Sequence, residues 1–134
     1  MPDSVPKALA YTLAVGRTTV GVTGILAPRF LMRFWAGPDP AARRSRSSGL
    51  AIGVRDLAVG VGTLGALRRG EIRSTWSQLA ALSDTVDSVG TLLFFRYTPW
   101  PRRLFIVVTV GASAGIGWWL NSCRNSLYSS MPTA

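Results

Sequence analysis

Histidine is absent from this 134-residue chain, and cysteine and lysine occur once each, as Cys123 and Lys7. Without imidazole there is no side chain that titrates near neutrality unperturbed, and the common zinc sites lose their nitrogen ligand. A lone cysteine excludes a disulfide framework, and with no base or second thiol nearby in sequence Cys123 reads as inert. Charge is scarce, at 16% of residues, and unbalanced: 15 Lys+Arg stand against 6 Asp+Glu, a net +9. With 48% hydrophobic residues and a mean hydropathy of +0.27, the chain is too apolar to be disordered. Strict alternation of apolar and polar residues is missing, which excludes a transmembrane barrel. Nucleotide-binding loops, Cys/His clusters and serine-centred triads are missing as well.

What is present is four long apolar segments, at residues 8–26, 50–67, 76–95 and 104–122. Each comes close to the ~20 residues that cross ~30 Å of hydrocarbon at 1.5 Å per residue. The fourth carries no charge and no polar stripe, so it is apolar all round. All five tryptophans (Trp35, Trp76, Trp100, Trp118, Trp119) fall at segment ends or in connections, where an indole sits at headgroup level. The pattern predicts an all-α fold: an antiparallel bundle of four transmembrane helices in one domain, residues 1–123, followed by a flexible tail, 124–134. Residues 28–37 (PRFLMRFWAG) set Phe30, Leu31, Phe34 and Trp35 against Arg29 and Arg33, a short amphipathic elbow suited to the interface. Ser47 or Ser48 is placed to cap the second helix and Ser74 or Thr75 the third. The prolines of YTPWPRR mark a tight turn before the fourth. No cleavable signal is evident, so the first helix is retained.

Basic residues on alternate sides set the orientation. Lys7, Arg68, Arg69, Arg73 and Arg124 make five on the side of the termini; Arg29, Arg33, Arg43, Arg44, Arg46, Arg96, Arg102 and Arg103 make eight on the other. The positive-inside rule places the eight in the cytoplasm and both termini outside a cell (inner) membrane. The same rule accounts for the basic excess, so no nucleic-acid partner is implied.

Five ionic residues remain, all near the middle of their segments: Arg17, Arg55, Asp56, Asp84 and Asp87. Each costs ~2.5–3.5 kcal/mol at the bilayer centre on insertion scales, so the five must converge and pair. Asp84 and Asp87 share a helix face with Ser88 and Thr91. Arg17 lies along Gly21 and Gly24, and Asp56 along Gly49, Gly53 and Gly60, small-residue stripes that let backbones approach. Gly111, Gly115 and Gly117 give the uncharged fourth helix a packing role. Two arginines face three aspartates, and the surplus negative charge is most easily relieved by a proton on one carboxyl group of a coupled trio.

The run Gly16, Arg17, Gly21, Gly24, Pro28 (G-R-x3-G-x2-G-x3-P), the G-V-R-D-L-A-V-G of residues 53–60 and the D-x-x-D of Asp84 and Asp87 together resemble small actinobacterial four-helix membrane proteins of unknown function, DoxX-like in appearance. The resemblance spans residues 8–122. It implies the four-helix architecture and draws attention to the Arg/Asp set, without supplying an activity. Arginine in place of lysine is in keeping with a GC-rich actinobacterial origin.

Intramembrane ionisable residues mark sites by default. The first reading is therefore a protein that binds or acts on an apolar small molecule or lipid with a polar end, with Arg17, Arg55, Ser88 and Thr91 as substrate-binding or orienting residues. A second is a membrane acid–base enzyme in which Asp84, Asp87 and Asp56 are the catalytic set, opening an epoxide, cyclising a polyene or moving a double bond. A third is an accessory subunit of a membrane complex, and a proton-coupled transporter would require a homo-oligomer. No cofactor is implied, and a metal would compete with the arginines for the same carboxylates.

Overall fold

A computed structural model describes residues 4–36, 46–72, 74–94 and 99–122. It is all-helical, with no strand among the described residues: α1 Ser4–Leu26, α2 Pro28–Ala36, α3 Arg46–Arg68, α4 Thr75–Phe94 and α5 Trp100–Ser122. Three of these, α1, α3 and α5, are long and apolar enough to cross a membrane. At 23 residues each they are roughly 35 Å long. They begin about one turn earlier than the apolar runs suggest, because helices continue past the hydrocarbon-like stretch into flanking polar residues.

Local chemistry explains the helix ends. Pro28 has no N–H to continue α1, so α1 stops at Leu26 and α2 restarts with Pro28 in its first position, the Ala27 carbonyl accepting from Phe30 and Leu31 at 3.0 and 3.1 Å. After α3 the chain turns through Gly70 at φ 81°, with Glu71 N–H bonded to the Ala66 carbonyl (2.9 Å) and Gly70 N–H to that of Leu67 (3.0 Å). That is a Schellman ending, in which glycine avoids the left-handed penalty. Ser74 caps α4 as expected: its hydroxyl accepts from Ser77 N–H at 3.2 Å, and the Ser77 hydroxyl accepts from Ser74 N–H at 3.0 Å. The expectation for the second helix is corrected. Because α3 begins at Arg46, Ser47 and Ser48 lie inside its first turn. Pro101 likewise falls within the first turn of α5, where a missing N–H costs nothing, and the Pro99 carbonyl accepts from Arg102 and Arg103 at 3.0 and 3.1 Å. Residues 37–45 and 95–98, Cys123 and the tail 124–134 lie outside the described residues.

Packing follows the glycine stripes. A Cβ on Gly24 would lie 2.6 Å from the Cα of Gly53, one on Gly60 would lie 2.5 Å from the Thr18 hydroxyl, and one on Gly21 would collide with the backbone of Leu57. α1 and α3 therefore touch backbone to backbone along their length, and this is the most extensive interface of the fold. Gly62 of α3 receives the Trp76 indole of α4, and Gly117 of α5 meets Ala81 of α4. Gly115, by contrast, has nothing within 4 Å. α1 and α5 hardly touch.

The distribution of polarity is inverted relative to a protein folded in water. Asp56 and Asp84 are each 8% exposed, whereas Val86, Leu93 and Val108 are 59%, 65% and 59% exposed. Outward valine and leucine over an inward layer of charge is the arrangement a bilayer selects.

Candidate functional site

The five central ionic residues do converge. Arg17 reaches across from α1 with its side chain only 9% exposed. Its Nη1 donates to Asp56 Oδ1 of α3 at 3.1 Å and to the Ser83 hydroxyl at 2.9 Å. Its Nη2 donates to the Ala80 carbonyl at 3.2 Å and to Asp84 Oδ1, both on α4. One guanidinium thus ties three helices together with both terminal nitrogens engaged.

Arg55 completes the network from α3. It grips both oxygens of Asp87, at 2.9 and 2.6 Å, in the fork geometry that makes arginine–carboxylate pairs strong, and its Nε donates to Asp56 Oδ1 at 3.0 Å. Asp56 Oδ1 is therefore shared by both arginines. Asp84 Oδ2 accepts from the Ser113 hydroxyl of α5 at 2.6 Å, so α5 joins the polar layer as well. Low exposure strengthens the Arg17 contacts, since little water competes there, whereas Arg55 and Asp87 are partly exposed, at 33% and 24% of their side chains.

A cleft of about 460 Å³ opens between α1 and α5, where those helices stand apart. Arg17, Asp56, Asp84, Asp87 and Ser113 form its polar floor. Leu13 and Val20 of α1 and Val108 and Ile116 of α5 form apolar walls, and Trp35 of α2 contributes an indole. α2 is held near the start of α5 by an edge-to-face contact of Phe34 with Phe105, ring centroids 6.5 Å apart. α2 thus contributes to the cleft through Trp35. A narrower void of about 40 Å³, lined by Ala14, Thr63, Ala81 and Leu120 among others, has room only for water.

Residues from the same expected face divide sharply. Thr91 turns back to donate to the carbonyl of Asp87 at 2.7 Å, and Ser88 Oγ is buried with no hydrogen-bond partner among the described residues. Neither lines the cleft, and neither bonds to a charged group of the ionic set. Ser83 and Ser113 make those contacts instead. Ser83 neighbours Asp84 in sequence and lies four residues before Asp87, on the same helical face, but a count running only forward from the aspartates passes over it. Ser113 was legible only as a hydroxyl at mid-length in the uncharged segment 104–122.

Away from this layer, Arg69 and Glu71 form an exposed pair at 2.9 Å in the connection after α3. The hydrogen bond from Arg69 holds the Glu71 carboxyl below its ordinary value. The pair is exposed and takes no part in the cleft.

Comparison with protein-family models, curated proteins and solved structures finds no match to this chain.

Proposed function

We propose that this chain is a small integral membrane protein, crossing a cell membrane four times in antiparallel order, that holds an apolar small molecule or lipid by its polar end. The observation that carries the reading is the cleft: apolar walls long enough for a hydrocarbon body, closed at depth by Arg17 and three aspartates. Small-molecule sites combine a mostly apolar lining with a few placed polar groups, and this one follows that pattern.

α4 serves as the fourth span in this reading. Its 20 residues reach across the hydrocarbon, and its two aspartates are neutralised by Arg17 and Arg55 from neighbouring helices, which removes most of the insertion cost. The up-and-down order draws support from α1 and α3, where Gly24, Gly21 and Thr18 meet Gly53, Leu57 and Gly60 in opposite sequence directions. The arginine count of the connections supports α2 on the cytoplasmic side and both termini outside. A likeness to DoxX-like proteins belongs to the same proposal.

Acid–base chemistry on the bound molecule is the second reading. It is favoured by one observation, that two carboxyl groups facing the same cleft have different surroundings. Asp84 is held by Arg17 and a serine hydroxyl, and Asp87 by a bidentate arginine. Unequal surroundings are how a pair of aspartates divides into acid and base.

Organic extraction of the purified protein tests the binding role. An amphiphile should co-purify with the wild type and be lost from Val108→Trp, which fills the cleft while leaving the ionic layer intact. Equal content in both proteins refutes it. Turnover of a bound molecule by wild type, abolished in Asp84→Asn or Asp87→Asn with binding kept, selects the enzymatic reading.

A further inference from the structure

We propose that the polar end the cleft accepts is cationic, an amine or quaternary ammonium on an apolar body, and that anionic lipids and acids are refused. This rests on the reading of the cleft as a binding site and names the chemical class of its occupant.

Charge and donor inventory carry the argument. The layer contains Arg17 from α1, Arg55 and Asp56 from α3, and Asp84 and Asp87 from α4, while α5 supplies only the neutral Ser113. Two positive groups and three negative ones leave one negative charge. Three carboxylates line the cleft but only one of the two arginines does. That one, Arg17, has both terminal nitrogens committed to Asp56, Ser83, Ala80 and Asp84. An incoming anion would meet a guanidinium whose terminal N–H groups are all committed, with only Nε–H left over, and three carboxylates that repel it.

An acceptor, in contrast, is available. Asp84 and Asp87 have both oxygens occupied, but Asp56 uses only Oδ1, and no donor among the described residues reaches its Oδ2. Asp56 is 8% exposed and lines the cleft. Oδ2 is not among the fully buried atoms that lack a partner, so it keeps some exposure, and a carboxylate oxygen with little water around it and no protein donor is stabilised by a group that supplies positive charge or an N–H. An ammonium at that point neutralises the layer, and its hydrocarbon body lies against Leu13, Val20, Val108 and Ile116. Trp35 offers an aromatic face to the same cation.

The experiment uses the intact chain in phosphatidylcholine nanodiscs with three probes of equal chain length: decyltrimethylammonium, decanol and decanesulfonate. Binding is measured by equilibrium dialysis and corrected for empty discs. The ammonium should bind about tenfold or more tighter than decanol, equivalent to at least ~1.4 kcal/mol, and the sulfonate should not exceed empty discs. Asp87→Asn, which brings the layer to two against two, should reduce the ammonium to the level of decanol. Val108→Trp should abolish ammonium binding. Ammonium no tighter than decanol, or sulfonate as tight as ammonium, overturns the charge inference and leaves a ligand-binding cleft standing. Binding of none of the three overturns both. The wild-type comparison decides the matter even if Asp87→Asn does not fold.

Discussion

Arg17 on α1 and Asp84 on α4, 67 residues apart in sequence, are joined directly by a guanidinium–carboxylate contact, and the same guanidinium holds Asp56 on α3. Removing a partner from such a buried set leaves uncompensated charge behind. Arg17→Ala should destabilise the fold by about 3–5 kcal/mol, the usual cost of breaking a buried pair. Arg17→Lys should not restore stability, because one ammonium cannot span the four acceptors that two guanidinium nitrogens reach. Thermal unfolding in mild detergent measures both, and a lysine variant as stable as wild type would refute the account.

Glycines of the α1–α3 interface should be far less tolerant than others. Gly24→Val and Gly53→Val force backbones apart where a Cβ already has under 3 Å of space, and overpacking of this kind costs about 1–3 kcal/mol or more. Gly16→Ala, with nothing within 4 Å, should be neutral or slightly stabilising through helix propensity. The same unfolding assay ranks the three, and equal losses at Gly16 and Gly24 would count against close backbone contact.

The exposed pair of Arg69 and Glu71 should behave differently. Since Glu71 is lowered by Arg69, its contribution is present above the ordinary carboxylate value and disappears as pH falls through the lowered one. Water and salt screen so exposed a pair, and Glu71→Gln should leave the melting temperature unchanged in 0.5 M salt, roughly a 4 Å Debye length. A large loss there would assign it a structural role.

Much of the fold was readable because bilayer lengths and helix breakers are one-dimensional signals. Pro28 stopping α1 and Ser74 capping α4 are dictated by atoms of the residues themselves. Convergence of Arg17, Arg55, Asp56, Asp84 and Asp87 was legible from the energetic demand that intramembrane charges pair. The cleft was not. It depends on α1 and α5 standing apart, on Trp35 arriving from α2 and on which serine rotates toward a carboxylate. Ser88 and Thr91 share the aspartates' face and still point their hydroxyls elsewhere, since periodicity fixes a face to within a quadrant and hydrogen bonding fixes the rest.

The gap between α1 and α5 has a consequence for how occupancy is set. Val108, on its rim, is more than half exposed on a surface that faces hydrocarbon in the proposed topology. A solute entering there arrives sideways, having already partitioned out of water. Saturation then tracks mole fraction within the leaflet, so halving the lipid at fixed total solute should double the apparent potency of a strongly partitioning compound.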